Sequence, residues 1–214
     1  MKISREGLVT IFIVNILVSI AIIMYATLGS GWIALVIALL LVELLVLWFF
    51  RDPERTIAGD DNTIIAPADG KVVLIRDIRE DKYLKSEATQ ISIFLSVFNV
   101  HVNRYPLGGT IAFYEYMKGK FMVAFDDKAS ELNEQTVVGL EHPRVKILFK
   151  QITGLLARRI VFYGKQGDRV DRGTRCGIMK FGSRMDIIVP KNVDIKVKVG
   201  DTTTAGETIL GIIK

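Results

Sequence analysis

The sequence predicts a mainly β (α+β) chain: an N-terminal hairpin of two hydrophobic helices, then a β-sandwich or barrel domain. Three observations predict it. Residues 8–50 are almost free of charge, while the remainder carries nearly all the Lys, Arg, Asp and Glu. Beyond Arg51, short runs of branched and aromatic residues alternate with Gly, Pro, Asp and Asn, the pattern of strands and turns. Near the C-terminus a Gly-Asp pattern occurs twice at similar spacing, which points to a quasi-symmetric β unit.

The apolar segment comes first. LVTIFIVNILVSIAIIMYATL, residues 8–28, is apolar apart from a few uncharged polar residues such as Asn15 and Ser19, and WIALVIALLLVELLVLWFF fills 32–50. Each is near the roughly 20 residues that cross a hydrocarbon core of about 30 Å. Gly29-Ser30-Gly31 between them reads as a tight turn. Lys2 and Arg5 precede the first helix while Arg51 and Arg55 follow the second, so both ends are expected at the cytoplasmic face. Trp48 suits an interfacial anchor, and Glu43 is tolerable mid-helix if protonated or paired with another helix. Buried helices of a soluble domain, or an interfacial hairpin that does not cross, are the alternatives. A cleaved signal peptide would need a shorter apolar region and a small-residue cleavage site. The expected division is therefore an anchor, 1–50, and a domain, 51–214, of roughly 160 residues, enough to bury a core.

Expected strands in that domain are 64–66, 71–77, 90–96, 109–116, 145–151, 159–163, 185–189 and 195–199, with a polar helix or loop over 127–133. Residues 155–158 are ambiguous. Gly167-Asp168 is followed by Gly173 and Gly177-Ile178-Met179-Lys180; Gly200-Asp201 is followed by Gly206 and Gly211-Ile212-Ile213-Lys214. This repeat resembles the hammerhead of lipoyl and biotinyl carrier domains, and Met179-Lys180 superficially resembles a biotin attachment site. A membrane-tethered carrier is thus a second reading, although Phe181 leads at once into Gly182-Ser183.

Charge and composition narrow the partners. A net charge of +5 favours an acidic surface, either nucleic acid or anionic lipid. The apolar N-terminus tips that choice to lipid, so no nucleic acid is expected. Cys176 is the only cysteine, which excludes an intrachain disulfide and a Cys-based zinc site. With only two histidines, His101 and His142, a His-rich metal site is not expected either.

Three stretches can carry chemistry. In Phe181-Gly182-Ser183-Arg184 a serine follows a glycine, which permits the strained turn that lets the hydroxyl attack the preceding carbonyl. The N-to-O acyl shift gives an ester; β-elimination gives dehydroalanine, which hydrolyses to a pyruvoyl group and ammonia. Such a ketone takes a substrate amine as a Schiff base and acts as an electron sink. Gly-Ser is also a common turn element. Asp69, in Ala66-Pro67-Ala68-Asp69-Gly70, is first a turn residue, with the orienting carboxylate of a base as its functional reading. His101, ending the stretch Phe94-Leu95-Ser96-Val97-Phe98-Asn99-Val100-His101, is either a hydrogen-bonded structural histidine or a general acid or base. His142 reads as a loop residue.

Taken in order, these pieces resemble the phosphatidylserine decarboxylase proenzymes, in their short bacterial and archaeal form. Phe49-Phe50-Arg51-Asp52-Pro53, Ala66 to Gly70, Phe94 to Pro106 and Phe181 to Arg184 all match. Lys118-Gly119-Lys120-Phe121, Asn133-Glu134 and Ala157-Arg158-Arg159-Ile160 also look like the family. The resemblance covers 49–214.

It implies self-cleavage between Gly182 and Ser183 into a large subunit, 1–182, and a small one, 183–214, held as a heterodimer. Ser183 would become the pyruvoyl cofactor and form the Schiff base with the serine amine. Carbon dioxide would leave, and an ethanolamine phospholipid would follow. Asp69 matches the carboxylate that assists cleavage; His101 matches a histidine acting in cleavage or decarboxylation. Longer relatives carry a second histidine where this chain has Arg104, so their full triad does not transfer. The implied substrate is phosphatidylserine, or archaetidylserine if the source is archaeal. The implied place is the cytoplasmic face of the cell membrane, with a homo-oligomer also compatible.

Overall fold

The computed structural model describes residues 2–119, 133–154, 160–179 and 183–214. The chain divides into two compact units, Met1–Glu54 and Arg55–Lys214. In the first, β1 (Lys2–Ile3) precedes the helices α1 (Leu8–Leu28) and α2 (Ile33–Phe49), and β2 (Arg51–Asp52) returns to pair antiparallel with β1. Both helices are long and apolar enough to cross a membrane. In α1 two polar side chains bond within the helix, as Asn15 donates to the Ile11 carbonyl at 2.9 Å and Ser19 to the Asn15 carbonyl at 2.8 Å. Val14, Val18, Ala21 and Val36 are buried, whereas Val9 is 70% and Phe12 66% exposed. An exposed apolar surface of that extent is the kind that marks a contact with a membrane or another protein. At the end of α2, the Arg51 guanidinium lies 4.0 Å from the centre of the Trp48 ring.

The second unit is built of strands: β3 (Thr63–Ile65), β4 (Gly70–Glu80), β5 (Ser86–Leu95), β6 (Val102–Arg104), β7 (Gly109–Met117), β8 (Gln135–His142) and β9 (Val145–Thr153). They are followed by β10 (Ile160–Phe162), β11 (Arg169–Val170), β12 (Arg175–Met179), β13 (Ser183–Pro190), β14 (Val193–Ile195), β15 (Thr202–Thr203) and β16 (Ile209–Ile213). Eight of them form one curled sheet, in the order β11-β7-β8-β9-β13-β5-β4-β15, and two three-stranded sheets, β10-β12-β6 and β14-β16-β3, complete the unit. Alternation along the strands sends Ile91, Ile93, Phe149, Met185 and Ile187 to one face, where they pack with Ile64, Cys176, Met179 and Leu210 of the small sheets. That is the main core. The fold is mainly β with two apolar N-terminal helices, as the sequence predicts.

The expected strands have counterparts, with different limits. The run 195–199 ends early, at Ile195, because the Lys198 amide turns to the Asp201 carboxylate at 2.9 Å. β6 and β8 were not among the expected strands. Residues 127–132 of the expected helix or loop, and 155–158, lie outside the described residues. The two Gly-Asp segments share local geometry: φ is 97° at Gly167 and 100° at Gly200, 78° at Gly173 and 83° at Gly206. In each, a lysine amide bonds the aspartate three residues on, Lys165 to Asp168 at 2.8 Å and Lys198 to Asp201 at 2.9 Å. The paired segments occupy opposite edges of the large sheet, as β11 and β15.

Candidate active site

Ser183 opens β13, the strand held between β9 and β5. Its register places it opposite Leu95 on one side and Thr153 on the other. It shares the core face with Met185 and Ile187, is fully buried, and its Oγ has no hydrogen-bond partner among the described residues. A buried hydroxyl left unpaired is uncommon and requires an explanation. Gly182 lies outside the described residues.

The opposite face of β13 is locked by charge. Arg184 and Asp186, each 1% exposed, form an ion pair of 2.7 Å. Arg184 also donates to Ser92 Oγ at 2.7 Å, and Gln90 donates to Asp186 at 2.9 Å. Hydrogen bonds thus fix β13 to β5 through side chains as well as through the ladder, which a buried ion pair needs to offset its desolvation.

His101 follows a turn that starts where β5 ends. Ser96 donates through both its amide, 2.9 Å, and its hydroxyl, 2.8 Å, to the Asn99 side chain, closing the turn. The Asn99 carbonyl then accepts from His101 Nδ1 at 2.9 Å. Since a carbonyl only accepts, Nδ1 carries the proton and Nε2 is the basic nitrogen of the neutral ring. His101 is fully buried, and its carbonyl accepts from the Met179 amide, four residues before Ser183. Leu95 and Met179 thus tie the histidine segment to both ends of the Ser183 neighbourhood.

Asp69 sits on the turn between β3 and β4. Gly70 is required there, because a Cβ on it would lie 2.3 Å from the Phe94 carbonyl oxygen. The Asp69 carboxylate receives Arg55 at 2.7 Å and the Ala205 amide at 2.8 Å. Its partners therefore do not include His101. The turn is nevertheless attached to the histidine segment, as the Arg104 amide donates to the Pro67 carbonyl at 2.9 Å. Arg104, where longer relatives were expected to differ, directs its guanidinium to the Gly173 carbonyl at 2.8 Å. A guanidinium has no acceptor and serves no base role.

Arg55, Asn103, Gln151 and the Arg184–Asp186 pair are not among the candidate site residues read from the sequence. Gln151 donates to Asn103 Oδ1 at 2.8 Å, and both residues are fully buried. Polar residues near strand ends read as solvent-facing, and only the pairing of β9 with β13 reveals that Gln151 faces inward. Cys176 is also buried, and burial pushes its thiol far up, which leaves it a neutral core residue.

Comparison with known proteins adds the decisive observation: the family model for phosphatidylserine decarboxylase matches residues 42–211. The chain belongs to the phosphatidylserine decarboxylase family. It is 48% identical over 184 residues to the phosphatidylserine decarboxylase proenzyme of Geotalea uraniireducens (strain Rf4), covering 86% of each chain. The proenzyme of Amoebophilus asiaticus (strain 5a2) is 43% identical over 220 residues, covering 100% of this chain and 97% of that one. That of Salinibacter ruber (strain DSM 13855 / M31) is 52% identical over 171 residues, covering 78% and 75%. As a phosphatidylserine decarboxylase family member, the chain is a lyase of the carboxy-lyase kind, acting in phospholipid synthesis. The alternative of a carrier module is set aside.

Proposed function

We propose that the chain is made as a precursor, cuts itself between Gly182 and Ser183, and then decarboxylates phosphatidylserine at a membrane. The observation that carries this reading is Ser183 itself: a fully buried hydroxyl without a hydrogen-bond partner among the described residues, at the start of a central strand, in a family whose relatives are named proenzymes.

In cleavage, Ser183 Oγ attacks the Gly182 carbonyl carbon and the Ser183 nitrogen leaves it, giving an ester. Loss of the Ser183 α-proton expels the Gly182 carboxylate, and water then replaces the nitrogen, which departs as ammonia. The product is the pyruvoyl group at residue 183. The unpaired Oγ fits that fate, because no hydrogen bond must be broken before attack. Once present, the group supplies an electron-withdrawing carbonyl that joins the substrate amine and takes up the electrons of the departing carboxylate.

The residues around it have separable tasks. We assign His101, through Nε2, to proton transfer in cleavage or decarboxylation, with Asn99 fixing its tautomer. Asp69 assists cleavage from its ion pair with Arg55 rather than as the third member of a hydrogen-bonded triad. Residues 183–214 supply β13 to the centre of the large sheet, so ladders on both sides retain the small fragment, and the two pieces form a heterodimer. The two apolar helices support a hairpin with both ends at the cytoplasmic face, which brings the site to its lipid. We read the matched Gly-Asp turns as a duplicated unit of the carrier-domain kind. The headgroup chemistry is the same for an archaetidylserine with ether-linked tails, and a homo-oligomer is compatible with the fold.

The test is release of carbon dioxide from carboxyl-labelled phosphatidylserine in vesicles, followed together with chain cleavage. Release that rises with the cut fraction supports the proposal. Full release by an uncut chain contradicts it.

A further inference from the structure

We propose that Asn103 and Gln151 form the subsite that receives the α-carboxylate of the serine headgroup beside residue 183. This rests on the assignment of Ser183 given above and names the residues that recognise its substrate. Both side chains are fully buried, yet only one hydrogen bond joins them, Gln151 Nε2 to Asn103 Oδ1 at 2.8 Å. Asn103 Nδ2 and Gln151 Oε1 have no hydrogen-bond partner among the described residues. Turning both terminal amides end for end leaves the same count, one NH2 group and one carbonyl oxygen unpaired. Buried polar atoms are nearly always paired, and two orphans of opposite kind side by side are complementary to a ligand with an acceptor and a donor.

Register locates the pair. Gln151 lies opposite Met185 and Thr153 opposite Ser183, so Gln151 shares the face of Ser183 one diagonal away. Such diagonal neighbours are about 7–8 Å apart at the backbone, within reach of a long side chain. Asn103 reaches the same point from β6, two residues beyond His101. It stands opposite Gly177, where a Cβ would lie 2.1 Å from the Val161 carbonyl oxygen and 3.1 Å from Gln151 Nε2, so the β10–β12 approach demands the glycine and the amide lies close beside it. Ser183 is itself fully buried, like both amides.

The chemistry matches a serine headgroup. Its α-carbon carries an amine, which must reach residue 183, and a carboxylate next to it. The unpaired N–H is the donor for that carboxylate, and the unpaired carbonyl accepts from the amine. A neutral donor suits a carboxylate that leaves as uncharged carbon dioxide, because a cation would favour the charge that the reaction must disperse. The product, an ethanolamine headgroup, has no carboxylate and loses that contact.

The experiment uses the whole chain in detergent, with dihexanoyl phosphatidylserine and dihexanoyl phosphatidylethanolamine as probes. In separate incubations cyanoborohydride traps each amine on the small fragment, and mass spectrometry reads the total adduct from each probe, with the serine adduct counted before and after loss of carbon dioxide. In the unsubstituted chain, the serine probe is expected to be trapped in preference to the ethanolamine probe. Asn103→Leu should reduce that preference about ten-fold or more, the scale of a lost hydrogen bond to a charged group, while cleavage after Gly182 proceeds. The paired variant Asn103→Leu with Gln151→Met replaces both polar partners with apolar groups of similar size, which spares the fold, and should show the same loss. An unchanged preference in the variants, no preference in the unsubstituted chain, or failure of a folded variant to cut itself overturns the subsite. If the unsubstituted chain neither cuts nor traps an amine, the assignment of Ser183 fails, and the subsite falls with it.

Discussion

Asp69 shares its carboxylate with Arg55 at 2.7 Å, with both side chains 15% exposed. If Asp69 assists cleavage from within this pair, the two residues act as a unit. Asp69→Asn and Arg55→Met should then each slow cleavage, and the double variant should be no slower than the worse of them. The half-time of cleavage on a denaturing gel checks this. Additive slowing would show that the residues act independently.

His101 donates through Nδ1 to the Asn99 carbonyl, leaving Nε2 as the basic nitrogen. His101→Ala is expected to lower carbon dioxide release by about 10²- to 10⁴-fold, the usual contribution of a positioned acid or base. The rate is taken per cut molecule, so that slow maturation is not mistaken for slow decarboxylation.

The Arg184–Asp186 pair is sealed within the sheet, with each side chain 1% exposed. Asp186→Ala should destabilise the folded chain by about 3–5 kcal/mol, because it strands a buried guanidinium. Arg184→Met with Asp186→Leu should recover much of that loss. Denaturant midpoints of the three chains, each also carrying Ser183→Ala to keep them uncut, provide the comparison.

Glu80 caps the turn between β4 and β5 by accepting the amides of Lys82, Tyr83 and Leu84 at 2.9, 2.8 and 2.6 Å. Burial works to raise its pKa, but the three amides prevail and hold it below the ordinary 4.5. A carboxyl with a depressed folded-state value stabilises fully above its unfolded value and loses that contribution as pH falls through the folded one. Glu80→Gln should therefore lower stability by about 1–2 kcal/mol near neutrality. The deficit should shrink as pH falls below 4.5, where the parent loses its advantage. Urea midpoints at several pH values give the answer.

The candidate site residues stand out in the sequence because they lie at chain punctuation. Asp69 precedes a glycine that the β4–β5 approach demands, and Ser183 follows one at the start of a strand. The helices were legible from uninterrupted hydropathy. What local pattern does not reveal is which strands become neighbours. β8 carries Gly139, which reads as a breaker, although a Cβ there would lie 2.7 Å from the Tyr83 ring, so the glycine is a packing site. Arg55 and Asp69 meet across fourteen residues, and Asn103 and Gln151 across forty-eight. Polar residues paired over such distances look like surface positions until the sheet is assembled.

The central claim is that Ser183 becomes the catalytic group by cutting the chain before it. An intact-mass spectrum of the purified protein, beside Ser183→Ala, tests this most directly. The account predicts two fragments split after Gly182, the small one lighter by one ammonia than a peptide starting in serine, while the alanine variant stays whole. A single unmodified chain from a preparation that releases carbon dioxide from phosphatidylserine would contradict it.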